Sequence, residues 1–470
     1  MDLLVDLTGP GDRAFRIYRH LLDGIASGRL PPGERLPPTR AFAQELGIAR
    51  GTVATAYDRL VAEGYLETRV GAGTFVSADV GAPRPVAAPA GDVRPRAVWE
   101  SLPPAVPDAP PLEHDLSVAG PDTRLFPFAV WRRLVSATLR PALQEQPVYD
   151  GSGHALLQAE IARHLRVSRS VVADGGDVLL TAGAQQALDL LGRVLLGPGD
   201  TVAVEDPGYT AAVRLYASQG ARVRGVPVDE EGLVVDALPD DARLVYVTPS
   251  HQFPTGAVMS LRRRTALLDW AATHRALIIE DDYDSEFRYD ARALAPLQSL
   301  DTCGRVAYVG SFSKVLMPML RIGYVVAPRS LQPALRDAKL LTDWQGDTVT
   351  QGAMARFLAE GLLAAHVRRA TRVYAARRSV LLRELARLDD VLVAYPSAAG
   401  LHVCTRLRDQ RRSDSKVVRS LAEVGVGVEP LAPRYVEQPA VHGLALGFRH
   451  IDESRIPDAV DRIGAVLRGQ

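Results

Sequence analysis

Cysteine is almost missing from this chain. Its 470 residues include only Cys303 and Cys404, far apart. That excludes a disulfide framework and gives no metal site. It fits a reducing compartment, so a cytoplasmic protein is expected. Net charge is missing too, with 55 basic residues balanced by 55 acidic ones. Any contact with nucleic acid must therefore come from locally placed arginines, not from a field around the whole molecule. No apolar run approaches the length needed to span a bilayer, and no membrane partner is expected. Residues 1–10 lack a basic flank and a long apolar run, so no signal peptide is expected. What remains is ordinary globular material, 47% apolar and 23% charged, long enough for two or three domains.

The first 78 residues read as a small helical module. Ile17, Leu21 and Ile25 recur every four residues, as on one helix face. Gly28 stops that helix, and Pro31-Pro32-Gly33 makes a turn. Thr39 is placed to cap a second helix, with Phe42, Ala43 and Leu46 inward and Gly47 at its end. A third helix over about 50–63 buries Val53, Ala56, Tyr57 and Leu60. Its other face presents Arg50, Thr52, Thr55 and Arg59. Two short strands around Gly71-Ala72-Gly73 complete a winged helix-turn-helix. Arg50 and Thr52, at the start of the third helix, suit phosphates and base edges of double-stranded DNA. Arg40 and Arg69 would flank the groove, and the small wing tip at Gly73 can approach the minor groove. The competing reading is a three-helix domain with a solvated arginine face.

Residues 79–112 change character. Proline, alanine and glycine dominate, as in Ala82-Pro83-Arg84-Pro85 and Leu102-Pro103-Pro104. A segment of this kind is expected to be an extended, semi-rigid spacer.

From 113 to 470, apolar runs alternate with helical patterns. Six strands are expected, around 178–180, 201–204, 244–247, 276–279, 306–309 and 323–326. Helices are expected over 185–196 and 261–274, among others. This alternation predicts an α/β fold with a mostly parallel sheet covered on both faces. Ligands on such sheets bind at the carboxyl ends of strands, and the chemistry-bearing residues cluster there.

Ser311-Phe312-Ser313-Lys314, with Arg321 seven residues on, is the most specific of these clusters. A lysine in a tight hydroxyl-rich turn can form a Schiff base with an aldehyde cofactor. Two serines and an arginine fork suit a phosphate dianion beside it. Together they point to pyridoxal 5'-phosphate (PLP). Lys314 alone would read as a surface lysine. Ala184 and Gln185 open a helix after a strand, where backbone N–H groups can hold phosphate. Tyr209 can stack on a flat ring or sit half-buried in the core. In Glu280-Asp281-Asp282-Tyr283, a carboxylate can keep a pyridine nitrogen protonated, and Tyr283 can reach the ring oxygen. Acidic pairs after strands also bind Mg²⁺, but no Gly-Lys-Ser/Thr loop accompanies this one.

Residues 32–40 through 71–76 closely resemble the GntR-type winged helix. Thr248-Pro249-Ser250-His251-Gln252-Phe253-Pro254-Thr255-Gly256, the run Glu280 to Phe287 and the Lys314 turn resemble fold-type I, aspartate-aminotransferase-like PLP proteins. The whole chain is similar to the MocR group of GntR regulators, including those that control vitamin B6 synthesis. The resemblance implies that Lys314 carries the cofactor and Asp281 pairs with its ring nitrogen. Tyr283 would meet the ring oxygen, and Tyr209 would stack. Ala184, Gln185, Ser311, Ser313 and Arg321 would hold the phosphate. It also implies a domain-swapped, head-to-tail homodimer, with Tyr149 reaching the neighbour's phosphate.

The departures from that pattern carry information. Aminotransferases have Asn before Pro-Thr-Gly; here it is Phe253. Their substrate-carboxylate arginine is replaced by Ala445, although Arg449 is near. The GABA-responsive relative has an arginine where Ala211 stands. An amino-acid carboxylate so loses its strongest anchor. The expected function is a PLP-binding transcription regulator, modulated by PLP itself or by an amine that condenses with it. The alternative is an active aminotransferase fused to a DNA-binding head.

Overall fold

The computed structural model describes residues 12–78, 91–102, 112–118, 120–142, 151, 153–289, 294–396 and 398–469. The chain divides into two compact units, Met1–Arg94 and Pro95–Gln470.

In the first unit, three helices enclose one small core. α1 (Arg13–Ala26) buries Ile17, Leu21 and Ile25. Asp12 caps it, accepting from the Ala14 N–H at 3.1 Å; this satisfies a backbone donor that the helix leaves free. α2 (Thr39–Glu45) buries Phe42 and Ala43. α3 (Arg50–Ala62) buries Val53, Ala56, Tyr57 and Leu60, the stripe read from the sequence. Thr39, expected as the cap of α2, is instead its first residue, and Pro38 stands at the cap without a side-chain acceptor. The Thr39 hydroxyl accepts from Arg50 Nε at 3.3 Å. β1 (Leu66–Arg69) and β2 (Gly73–Val76) pair antiparallel. Gly71 and Gly73 between them take φ of +77° and +118°, a region that side chains disfavour.

The described part of the expected spacer is not extended throughout. It holds the short helix Ala97–Ser101. Arg96 beside it donates to the Ser218 carbonyl at 2.6 Å, within the second unit.

The first strand of the second unit is the short β3 (His114–Asp115). Its main strands are β4 (Val178–Thr181), β5 (Thr201–Asp206), β6 (Arg222–Asp229), β7 (Gly232–Leu233), β8 (Ala242–Val247), β9 (Leu277–Asp282), β10 (Val306–Ser311) and β11 (Gly323–Val326). They form one eight-stranded sheet in the order β4-β11-β10-β9-β8-β5-β6-β7. The neighbours from β10 through β6 run parallel. β11 runs antiparallel to both β10 and β4. All six expected strands are present. β6 escaped the sequence reading because Arg222 and Arg224 face solvent and break the apolar run.

A second sheet was not foreseen. β12 (Leu392–Ala394), β13 (His402–Leu407), β14 (Val426–Gly427), β15 (Glu429–Pro430) and β16 (Gly443–Gly447) follow. Four of them form an antiparallel sheet, β12-β13-β16-β15, while β14 pairs in parallel with β3. Residues of helices Leu362–Leu385 and Ile456–Arg468 share its hydrophobic core. Among the described residues, no helix is long and apolar enough to cross a membrane.

Phe42 has no exposed surface. Phe42→Ala is expected to cost the first unit about 3–5 kcal/mol. Amide hydrogen exchange checks this: protection should fall over residues 12–78 and hold over the second unit.

Candidate cofactor and ligand site

The phosphate-binding features assemble around a glycine. After β4, Gly183 takes φ +86° and leads into helix Ala184–Leu195. The positive φ favours glycine at 183, and a Cβ there would also crowd Arg321 Nη2 at 3.0 Å. One at Gly323 would stand 2.6 Å from Gly183 Cα. Arg321 itself takes φ +50° and donates to the Ala182 carbonyl. Its head group, the first N–H groups of the helix at Ala184 and Gln185, and Ser311 and Ser313 line one cavity. That donor set suits a phosphate dianion.

Across the cavity lies Asp281. Its Oδ2 accepts from the Tyr246 hydroxyl at 2.8 Å. Its Oδ1 is buried with no hydrogen-bond partner among the described residues. Burial pushes this carboxyl up to about 7; Asp282 and Asp284 push the same way, while Tyr246 and Lys314 pull down. A buried carboxylate short of a donor fits a protonated ring nitrogen. The flanking acids are otherwise engaged. Asp282 is buried, which alone would raise its pKa, but Arg169 and Tyr308 hold it below the usual range. Glu280 accepts from the Leu297 and Gln298 N–H groups at 2.9 and 3.0 Å. Both acids are thus tied to protein partners.

Lys314 is one of three lysines, with Lys339 and Lys416. Burial lowers its pKa, and Asp284 opposes that shift. A desolvated amine of this kind is a better nucleophile. The Tyr209 ring packs 6.4 Å from Tyr246 and edge-on to Phe253 at 6.0 Å. The Tyr283 hydroxyl lies 3.0 Å from His251 Nδ1. Every cofactor residue named from the sequence lines the same cavity, whose volume is about 430 Å³. The orphaned Asp281 oxygen, the glycine cradle and the anion-binding donors fit PLP. Tyr149 lies outside the described residues.

Several residues of the site were not legible in the sequence. Arg434 lines the cavity, its guanidinium carbon 4.6 Å from the Phe253 ring centroid. It pairs with Glu429, whose Oε1 accepts from the Val118 N–H at 2.8 Å. Asp206 fixes this segment by accepting from the N–H groups of Val436, Glu437 and Gln438 at 2.8, 2.8 and 2.7 Å. Arg449, the expected neighbour of the missing carboxylate arginine, does not line the cavity. It donates to the carbonyls of Ser117 and Gly120. Glu205 is buried and accepts from the Thr248 N–H and from Gln252. His251, Asp284 and His402, all buried, bring one ligand-capable atom each within 4.8 Å of one another. No metal ligand was named from the sequence. In this structure, His402 Nε2 lies 3.0 Å from the Pro254 carbonyl and His251 lies against Asp284.

In the first unit, Arg40 and Arg50 are exposed and Thr52 is half-buried. Arg69 pairs with Glu67 and lies 4.8 Å from the Phe75 ring centroid, two residues from Gly73. Arg59, read as part of the free face of α3, is engaged instead. It lies 4.0 Å over the Tyr18 ring and pairs with Glu63 at 2.9 Å.

Comparison with known proteins matches both units. Residues 14–76 match the family described as bacterial regulatory proteins, gntR family. Residues 113–441 match aminotransferase class I and II. The chain is 35% identical to the probable rhizopine catabolism regulatory protein MocR of Rhizobium meliloti, over 95% of this chain and 92% of that one. It is 36% identical to the HTH-type pyridoxine biosynthesis transcriptional regulator PdxR of Corynebacterium glutamicum, over 92% and 91%. Among solved structures, it is similar to a Pyrococcus horikoshii kynurenine aminotransferase. The TM-score is 0.71 at 27% identity, over 76% of this chain and 90% of that one. The chain belongs to the MocR-type transcriptional regulators of the GntR family, in which a GntR head precedes an aminotransferase class I and II domain.

Proposed function

We propose that this regulator binds PLP through Lys314 and that the bound cofactor, alone or with a small amine, controls how the protein engages its DNA operator. The observation that carries this reading is the convergence of Lys314, Asp281 and the Arg321 turn on one cavity. When bound, the cofactor supplies an electrophilic aldehyde carbon and an electron-withdrawing ring. Lys314 is the attachment point. Asp281 holds a proton at the ring nitrogen, Tyr283 faces the ring oxygen, and Tyr209 bounds the ring. Ala184, Gln185, Ser311, Ser313 and Arg321 anchor the phosphate.

Beyond the cofactor, Arg434 offers a cation on the cavity wall. A ligand amine that also carries an anionic group suits it. Arg434 stands on a different segment from Ala445, where aminotransferases carry their arginine, although its partner Glu429 lies opposite Ala445 in the second sheet. The PdxR relative is named for pyridoxine biosynthesis, which supports PLP as a signal in its own right.

In the first unit, Arg50 and Thr52 would meet the major groove. Arg40 and Arg69 would meet phosphates, and the wing at Gly73 the minor groove. A homodimer in the cytoplasm completes the reading. Met319, Leu341 and Trp344 are 80%, 85% and 61% exposed, and apolar side chains of this kind suit cover by a second copy. A ligand shifts such a dimer only if it binds its two arrangements unequally.

Borohydride reduction of PLP-saturated protein should fix the cofactor at Lys314, seen by peptide mass analysis. No adduct there sinks the reading. Arg50→Ala should weaken operator binding about ten-fold while PLP loading stays intact; unchanged affinity removes α3 from the groove. Arg434→Gln should weaken binding of an anionic amine about ten-fold or more, with PLP binding unchanged. Calorimetry with β-alanine and with ethylamine separates the anionic contribution from the amine's own.

A further inference from the structure

We propose that His251, held by Asp284, is a positioning residue that turns the Tyr283 phenol into a hydrogen-bond donor facing the cofactor's ring oxygen. This rests on the PLP reading above and assigns work to two side chains that it leaves idle.

One nitrogen sets the direction of the hydrogen bonds. His251 Nδ1 lies 3.0 Å from the Tyr283 hydroxyl. Considered alone, that contact is ambiguous, since either group can donate. Asp284 removes the ambiguity. Its two carboxylate oxygens stand 3.1 and 3.2 Å from the same Nδ1, and a carboxylate only accepts. Nδ1 therefore carries a proton, shared between Asp284 and the Tyr283 oxygen. Tyr283 receives a hydrogen bond from the histidine and keeps its own proton for another acceptor. Tyr283 also lines the cavity, so that acceptor lies there. A carboxylate that fixes an imidazole tautomer is a general device for orienting a proton.

The packing is built around this pair. Gly400 takes φ +80°, and a Cβ on it would stand 2.1 Å from His251 Cε1 and 2.6 Å from an Asp284 oxygen. Any larger residue would drive the pair apart. Phe253 adds the need for it. Its ring meets Tyr283 edge-on at 5.9 Å and offers no donor where aminotransferases carry an asparagine. The ring oxygen then relies more heavily on Tyr283, and a phenol that accepts a hydrogen bond is a stronger donor. Other charged or titratable groups facing the pair include His402, whose ring centroid is 5.2 Å from that of His251, and Lys314, Asp281, Glu286, Arg288 and Tyr289, which interact with Asp284.

The test uses the full-length protein loaded with PLP, its absorbance followed against pH. His251→Leu removes the Nδ1 donor and keeps a side chain of comparable bulk. A ring oxygen given less help with its negative charge holds its neighbouring proton to higher pH. The midpoint should rise by about one pH unit. His251→Asn keeps an amide N–H where Nδ1 stood, so its midpoint should stay at the unsubstituted value. In a Tyr283→Phe background, His251→Leu should add no further shift, because the effect passes through the phenol. A shift of the same size in that background overturns the proposal, as does no shift in the Tyr283 protein. A second measurement needs no cofactor. Nitrogen-15 NMR of the PLP-free protein should show His251 protonated at Nδ1, and a bare Nδ1 overturns the proposal whatever the variants do. Failure of the PLP reading is separate, appearing as the missing borohydride adduct at Lys314.

Discussion

A buried carboxylate short of donors governs this site. Asp281 sits inside the large sheet with one oxygen satisfied by Tyr246 and the other by nothing among the described residues. Such a group is costly in a folded protein unless something arrives to complete it. Asp282 and Glu280, its neighbours on β9, are tied to Arg169 and to backbone amides. Glu205 is tied to the Thr248 turn. Glu205, Asp282 and Glu286 also keep one buried oxygen without a partner among the described residues, but of these four acids it is Asp281 that lines the cavity holding the lysine and the anion-binding turn.

The parallel strands explain why these groups meet. β5, β8, β9 and β10 run the same way, so their carboxyl ends open on one edge. Each then contributes a side chain from a different stretch of sequence. The antiparallel β11 returns Gly323 against Gly183 and so seats Arg321 on the first turn. The second sheet closes the far side with residues from β13 and β15. The site is thus shared between two sheets, and no single element holds it.

Legibility in the sequence followed physical cause. Central parallel strands are covered on both faces, so they read as plain apolar runs, and each expected one was found. The α3 stripe was equally clear, since a 3.6-residue period survives in sequence. The expected cofactor residues were readable because most cluster near the carboxyl ends of such strands, in short motifs. What escaped was held by contact, not by pattern. Arg434 follows a two-residue strand, and nothing local marks it; only the fold brings it over Phe253. Thr39 looked like a cap because of its hydroxyl, but Pro38 took that place. Arg59 looked free because its partners, Tyr18 and Glu63, include one from another helix. Arg449 looked close because it stands four positions after Ala445, yet it faces the backbone near Ser117.

The clasp made by Asp206 sets a limit on the ligand. One carboxylate gathers three successive amides just beyond Arg434, and the Gly208 N–H holds the Arg434 carbonyl at 3.1 Å. A guanidinium moored this way cannot travel far to meet a guest. On the proposed reading, the gap between Lys314 and Arg434 then behaves as a ruler of fixed length. Discrimination among amines would fall on chain length more than on the nature of the anion.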